Sequence, residues 1–278
     1  MGSSTDVPLE ERISTWVEIL PKLLAHLNVK KVALMSHSNG TMYALNTLWH
    51  CGELLRSDQF IALLAPWVHP SDSGNTAMKV ASWLPAPAFN VWNQIPKMIN
   101  THVAPALTTS GIFLTKTSNL MGSSASDNQG HKSHTESNRK KIEAQYGLSR
   151  DLQAGLDTAF GRKMFAESTV GANSEALLSL KKGSQGLWGV CDDYAEFVRK
   201  FAAREKEYAP DHKIKVRLFF AAEDSMIGNR GREYMSACWS GQDDILKVKN
   251  SVVEGTDHDS VLRDITVLET VLREVAGK

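Results

Sequence analysis

Three residues along this chain could together carry out nucleophilic acyl chemistry: Ser38, Asp224 and His258, in that order. Serine is a weak nucleophile at its free pKa, so an imidazole must accept its proton during attack and return it to the leaving group. A carboxylate then fixes the imidazole tautomer and stabilises the imidazolium that forms. Each of the three follows a segment that reads as a strand. Val32 to Ser36 is apolar and partly β-branched, and a helical pattern opens at once through Thr41, Met42, Ala44 and Leu45. Residues 214 to 222 read as a buried strand ending in the loop that holds Asp224. Residues 246 to 253 read as another, leading to His258. A strand turning sharply into a helix around Ser-x-Ser-x-Gly is a nucleophile elbow. The residues two before and two after Ser38 must be small, and they are Ser36 and Gly40, with Ser36 where glycine is usual.

This set resembles the α/β-hydrolase superfamily, of the lid-bearing esterase and lipase-like kind, over residues 1–70 and 211–278. The resemblance implies Ser38 as nucleophile, His258 as general base and acid, and Asp224 as the orienting acid. It also implies the Asn39 N–H as an oxyanion donor, and no cofactor. Glu223 competes with Asp224 for the acid role, but the family pattern of strand, small residue, acidic residue and aspartate favours Asp224. Asp257 and Asp259 flank the histidine and read as solvated loop residues, while His37 reads as a packing neighbour of the site. The implied substrate is a small apolar ester, or less readily a thioester.

The elements that must position these residues begin with a helix over 8 to 28. Ile13, Trp16, Val17, Ile19, Leu20, Leu23, Leu24 and Leu27 recur at helical spacing. Asp6 or Thr5 is a candidate cap with Pro8 in the first turn, and Pro21 should kink the helix or split it. In the resembled family this helix directly precedes the elbow strand, and several earlier strands begin the domain. Gly2-Ser3-Ser4-Thr5 resembles the end of the loop that enters the helix, so the expected fold is an N-terminally incomplete, mostly parallel α/β sheet. Two consequences are expected. The second oxyanion donor, which the family takes from an early loop, has no counterpart, so a weak or inactive binding module is the alternative function. The elbow strand should also present a bare edge, inviting a homodimer or aggregation.

The segment Phe60 to Leu64 is a further strand, and sheet signals do not resume until Ile214. The interval is too long for a loop, so residues 71–210 are expected to be a folded insertion, a helical lid over the site. Bulky apolar residues gather after Val80, and Trp83, Leu84, Phe89 and Trp92 are the candidate walls of an acyl pocket. Residues 122–141 are polar and read as a mobile loop. Helical patterns return near 148–160, 174–182 and 190–207.

Composition fits these expectations. The chain has 278 residues, is 42% hydrophobic and carries no formal net charge, which gives no electrostatic basis for a nucleic-acid partner. No stretch approaches the roughly eighteen apolar residues of a membrane span, and residues 1–12 are too polar for a leader. Asp6 stands where a myristoylation motif wants Ser or Thr. Cys51, Cys191 and Cys238 are odd in number and widely spaced, which suggests reduced thiols and a cytoplasmic protein. No metal-ligand spacing is visible, and His131 and His134 read as solvated.

Overall fold

Four short segments assemble a parallel sheet in the order β1-β2-β3-β4: β1 (Leu34–His37), β2 (Phe60–Leu64), β3 (Ile214–Ala221) and β4 (Leu246–Val253). The computed structural model describes residues 4–56, 59–86, 127–166 and 170–277. Leu34 is in register with Ile61, Leu64 with Phe219, and Val216 with Val248. β2 is buried along its whole length, as a run apolar on both faces requires. The sheet's two ends differ. β4 alternates buried Leu246 with exposed Lys247 and Lys249. β1 instead presents Leu34 and Met35, the latter 40% exposed, and among the described residues no strand pairs with its outer side. Val32, expected inside this strand, makes only an isolated bridge to Leu55.

The helices are α1 (Arg12–His26), α2 (Gly40–His50), α3 (Pro70–Ser73), α4 (Thr76–Trp83), α5 (Asp127–Tyr146), α6 (Arg150–Ala166), α7 (Val170–Ser179), α8 (Tyr194–Tyr208), α9 (Gly228–Cys238) and α10 (Ile265–Val275). On one face of the sheet, Ile61, Leu63, Val216, Leu218 and Phe220 share a core with residues of α1, α2, α8 and α9. On the other, Phe60, Ala62, Leu64, Phe219 and Ala221 pack against Val267 and Val271 of α10. Every regular element described between β2 and β3 is helical or a 3-10 turn. From Leu178 onward that interval is part of the main core, through Leu187, Trp188, Tyr194, Phe197 and Phe201.

Expectations are corrected in two places, the first of them the N-terminal helix. Pro21 does not split α1, which runs unbroken from Arg12 to His26. Proline removes the hydrogen bond that the carbonyl four residues earlier would accept, and that carbonyl, on Val17, receives the Cys51 thiol instead, at 3.9 Å. The anticipated cap is also absent: Asp6 Oδ1 accepts from the Val7 N–H and from Arg12 rather than from the helix start. The second correction concerns 122–141, expected as a mobile loop. From Asp127 on it belongs to α5. This helix has little apolar character because polar bonds dock it. His134 Nε2 lies 2.8 Å from Asp264, Asn138 bonds the Arg263 carbonyl and the Ile265 N–H, and Tyr146 donates to Glu269. His134 is thus partnered rather than solvated.

Candidate active site

The site is built where β1 ends. Ser38 has φ of 52°, in the left-handed region that non-glycine residues seldom occupy. The conformation is held from both sides. The Ser38 N–H donates to the Leu64 carbonyl of β2, and the Ser38 carbonyl accepts from the Thr41 hydroxyl and N–H. A methyl group on Gly40 would stand 3.4 Å from Cβ of Ser36, at van der Waals contact across the turn. Strain held by surrounding bonds is the arrangement that lifts a nucleophile above a sheet.

His258 and Asp224 arrive from the ends of β4 and β3. His258 Nε2 is 2.7 Å from Ser38 Oγ, and its Nδ1 is 2.8 Å from Asp224 Oδ2. The imidazole and the carboxylate side chains are only 6% and 4% exposed. Asp224 is fixed on its other oxygen, Oδ1, by the Met226 and Ile227 N–H groups. Burial pushes the His258 pKa down, but the hydrogen bond and charge of Asp224 outweigh it, leaving the pKa above the usual histidine value. A carboxylate that accepts from Nδ1–H leaves Nε2 free to accept the serine proton. Glu223, one residue away, bonds through its backbone N–H to the Thr256 carbonyl instead. Asp257 caps the following turn, with Oδ1 accepting from the Asp259 and Ser260 N–H groups.

His37 sits against this chain. Its Nε2 donates to the His258 carbonyl at 2.7 Å, and the two rings are 5.2 Å apart. Burial, foremost, holds His37 below the usual histidine range, so the neutral Nε2–H form suits the bond it makes. Asn39 begins α2, and helix geometry leaves its N–H without an intrahelical acceptor. Among the described residues no group of three or more His, Cys, Asp or Glu could hold a metal ion. No described helix is long and apolar enough to cross a membrane.

Of the four residues expected to wall an acyl pocket, Phe89 and Trp92 lie outside the described residues. Trp83 and Leu84 do not line the groove that Ser38 shares. Trp83 ends α4 and is 77% exposed, because that helix turns Met78, not Trp83, toward the core. The groove, about 1130 Å³, runs instead along β1 between Trp16, Ile19 and Leu20 of α1 and the Ser38–Gly40 turn. Sequence reasoning missed one group here altogether. Glu175 of α7 accepts from Arg12, Tyr43 and the Asn39 side chain. Burial, then the Glu175 charge, pushes the Tyr43 pKa up, which keeps the phenol a donor. No local pattern marks Glu175, since its partners lie on other helices.

The fold is that of an α/β-hydrolase. Sheet order, elbow, and the sequence of strand-end serine, aspartate and histidine together define it. Neither a scan of protein-family models nor a search of curated proteins found a match. Among solved structures, a carboxylesterase of Nitrososphaera gargenis is similar at 13% identity, over 98% of this chain and 78% of its own, with a TM-score of 0.46. An esterase from a Rhodococcus species is similar at 12% identity, over 98% and 77%, with a TM-score of 0.45. A thermophilic esterase from Thermogutta terrifontis is similar at 11% identity, over 100% and 76%, with a TM-score of 0.47. Identities and scores this low leave the fold to be judged from the sheet, the elbow and the hydrogen-bonded residues themselves.

Proposed function

We propose that this protein is a serine hydrolase that cleaves carboxylic esters of small apolar molecules through an acyl-enzyme on Ser38. The observation that carries this reading is the unbroken line of hydrogen bonds Ser38–His258–Asp224, ending on a serine in the left-handed region. Ser38 Oγ adds to the ester carbonyl while its proton passes to His258 Nε2. The tetrahedral oxyanion faces the Asn39 N–H. Collapse breaks the ester bond, and His258 gives the proton to the departing alkoxide. A water then repeats the sequence on the acyl-serine and releases the acid. A fluorophosphonate probe tests the reading: wild type should be labelled and Ser38→Ala should not. Labelling that survives Ser38→Ala would refute it.

The second reading, a catalytically weak or inactive binding module, is favoured by the oxyanion side. Asn39 supplies one donor, and no second donor on a separate loop has been identified among the described residues. A missing donor costs about a hundred- to a thousandfold in rate. Failure of well-folded wild type to react with the probe would favour this module.

The active form should also show a definite pH dependence. Nε2 accepts a proton only when the ring is neutral, so kcat/KM for p-nitrophenyl acetate should fall as pH drops through a pKa above the usual 6.5 or so. The stability contribution has the opposite sense. A raised folded-state pKa stabilises the fold below the unfolded value, and that contribution is lost as pH rises through the folded one. A profile flat down to pH 5 would exclude His258 as the base.

We further propose that the β1 edge pairs with β1 of a second copy. An apolar edge strand with unpaired N–H and C=O groups is a template for another strand. Trp16 and Ile19 of α1 line the same groove as β1 and are 37% and 49% exposed. Sedimentation should show dimers or larger species for wild type and a shift toward monomer for Met35→Lys. A wild type that sediments as a monomer at micromolar concentration would rule this out.

A further inference from the structure

The groove that Ser38 shares is also lined by Asp6, Arg12, Tyr43 and Glu175, a group of charged and polar side chains that the proposed chemistry does not use. Arg12 donates Nη1 to Glu175 Oε1 at 2.6 Å, Nη2 to Asp6 Oδ1 at 2.7 Å, and Nε to the Val7 carbonyl at 3.1 Å. Glu175 Oε1 also accepts the Tyr43 hydroxyl at 2.8 Å, and its Oε2 accepts Asn39 Nδ2 at 2.9 Å. The opposite end of the same amide, Asn39 Oδ1, accepts from Ser179 Oγ at 2.7 Å. The side chains of Arg12 and Glu175 are 10% and 19% exposed. Ordering so many groups costs conformational entropy and desolvation, and a buried pair does not repay that reliably in stability.

What the network does hold is one residue. Asn39 is gripped at both ends of its side-chain amide by α7, and its main-chain N–H is the donor next to the nucleophile. We propose that Glu175 is a positioning residue for this reaction: it anchors the Asn39 side chain so that the Asn39 N–H stays aimed at the developing oxyanion. The inference rests on Ser38 being the nucleophile. Arg12 neutralises the carboxylate and fixes which oxygen faces which donor.

The donor count makes the arrangement testable. Both oxygens of Glu175 only accept, and Arg12 and Asn39 Nδ2 only donate. In Glu175→Gln the cation of Arg12 keeps the single oxygen on its own side. The new NH2 then faces the NH2 of Asn39, but Asn39 can turn its amide over, because Ser179 Oγ can accept from it and give its own proton to the residue 175 carbonyl, also 2.7 Å away, so this single variant should be mild. Asn39→Asp alone sets two carboxylates against each other. The double variant Asn39→Asp/Glu175→Gln restores a donor–acceptor pair of the same net charge, and Ser179 still has its acceptor.

The experiment measures inactivation by a short-chain alkyl fluorophosphonate, whose attack by serine builds negative charge on the phosphoryl oxygen. Wild type, both single variants and the double variant are compared, with Ser38→Ala as control. Asn39→Asp, whose carboxylate faces that of Glu175, should lower the maximal inactivation rate by about ten- to a hundredfold, less than outright removal of an oxyanion donor. The inhibitor's half-saturation concentration and the melting temperature should stay close to wild type. The double variant should recover about tenfold of the lost rate, a coupling that only interacting residues show. An Asn39→Asp protein that folds and reacts at the wild-type rate overturns the proposal, as does a double variant no faster than Asn39→Asp. If Asn39→Asp fails to fold, recovery of rate in the double variant still decides the matter. Labelling retained in Ser38→Ala is a separate outcome, which removes the nucleophile assignment itself.

Discussion

Asp224→Asn is expected to lower ester turnover by about ten-thousandfold while leaving the protein folded. The reason lies in how the carboxylate is held. Oδ1 accepts from the N–H groups of Met226 and Ile227, at 2.9 and 3.0 Å, so the oxygen of an asparagine has to occupy that side. The amide NH2 is then forced toward His258 Nδ1. Facing a donor, the imidazole takes the tautomer with its proton on Nε2, and a protonated Nε2 cannot accept the proton of Ser38. Size and backbone bonds are preserved, so the melting temperature should change little. The same substitution removes the charge that raises the His258 pKa and leaves burial, which lowers it, so any residual activity should extend to lower pH. Glu223→Gln is the companion measurement and should be mild. A loss of that size from Glu223→Gln, with Asp224→Asn mild, would transfer the role to Glu223.

That Asp224 could be singled out at all reflects the way this fold stores its chemistry. Each of Ser38, Asp224 and His258 sits just beyond a strand, and strands buried on one or both faces announce themselves by composition. The spans 60–64 and 246–253 are recovered to the residue, the first as an apolar run and the second as an alternation that sets Leu246 and Val248 against Lys247 and Lys249. The elbow is legible for a further reason: the small residues Ser36 and Gly40 flank Ser38 in the local pattern of a tight strand-to-helix turn. Where positions are set by tertiary contact, the sequence is silent. Glu175 resembles any other acid on a helix until α7 brings it to Arg12 and Asn39. The case of α5 is different, since a pattern exists there but is polar. His134, Asn138 and Lys141 recur at helical spacing, and each bonds residues between 263 and 266. A search for apolar periodicity passes over such a face. Trp83 shows the converse error, for a large apolar residue need not be buried or near a pocket.

Gly189→Ala should destabilise the protein by about 3–6 kcal/mol, a large part of the 5–15 kcal/mol typical of a folded domain. Two costs combine. Gly189 has φ of 63°, and a side chain in the left-handed region costs about 1–2 kcal/mol. The added methyl would also overlap Asn46 Oδ1 and stand 2.9 Å from Cγ2 of Ile13. Asn46 is fully buried on α2 and cannot step aside cheaply. Its Nδ2 donates to the Trp188 and Met42 carbonyls at 2.8 Å, and its Oδ1 accepts from the Val190 N–H at 3.1 Å. Displacing it leaves buried groups unpaired, at about 1–3 kcal/mol each. Because α2 also carries the elbow at its first turn, variants that remain folded should lose activity as well as stability. Gly155→Ala is the control of opposite sign. It lies inside α6 with no atom within 4 Å of the added methyl, and alanine there should raise stability by about 0.5–1 kcal/mol. Denaturant midpoints of the two variants measure both effects. A Gly189→Ala protein as stable as wild type would mean that α2 and the 188–191 turn are not locked through Asn46, and that the elbow is held from β2 and α7 alone.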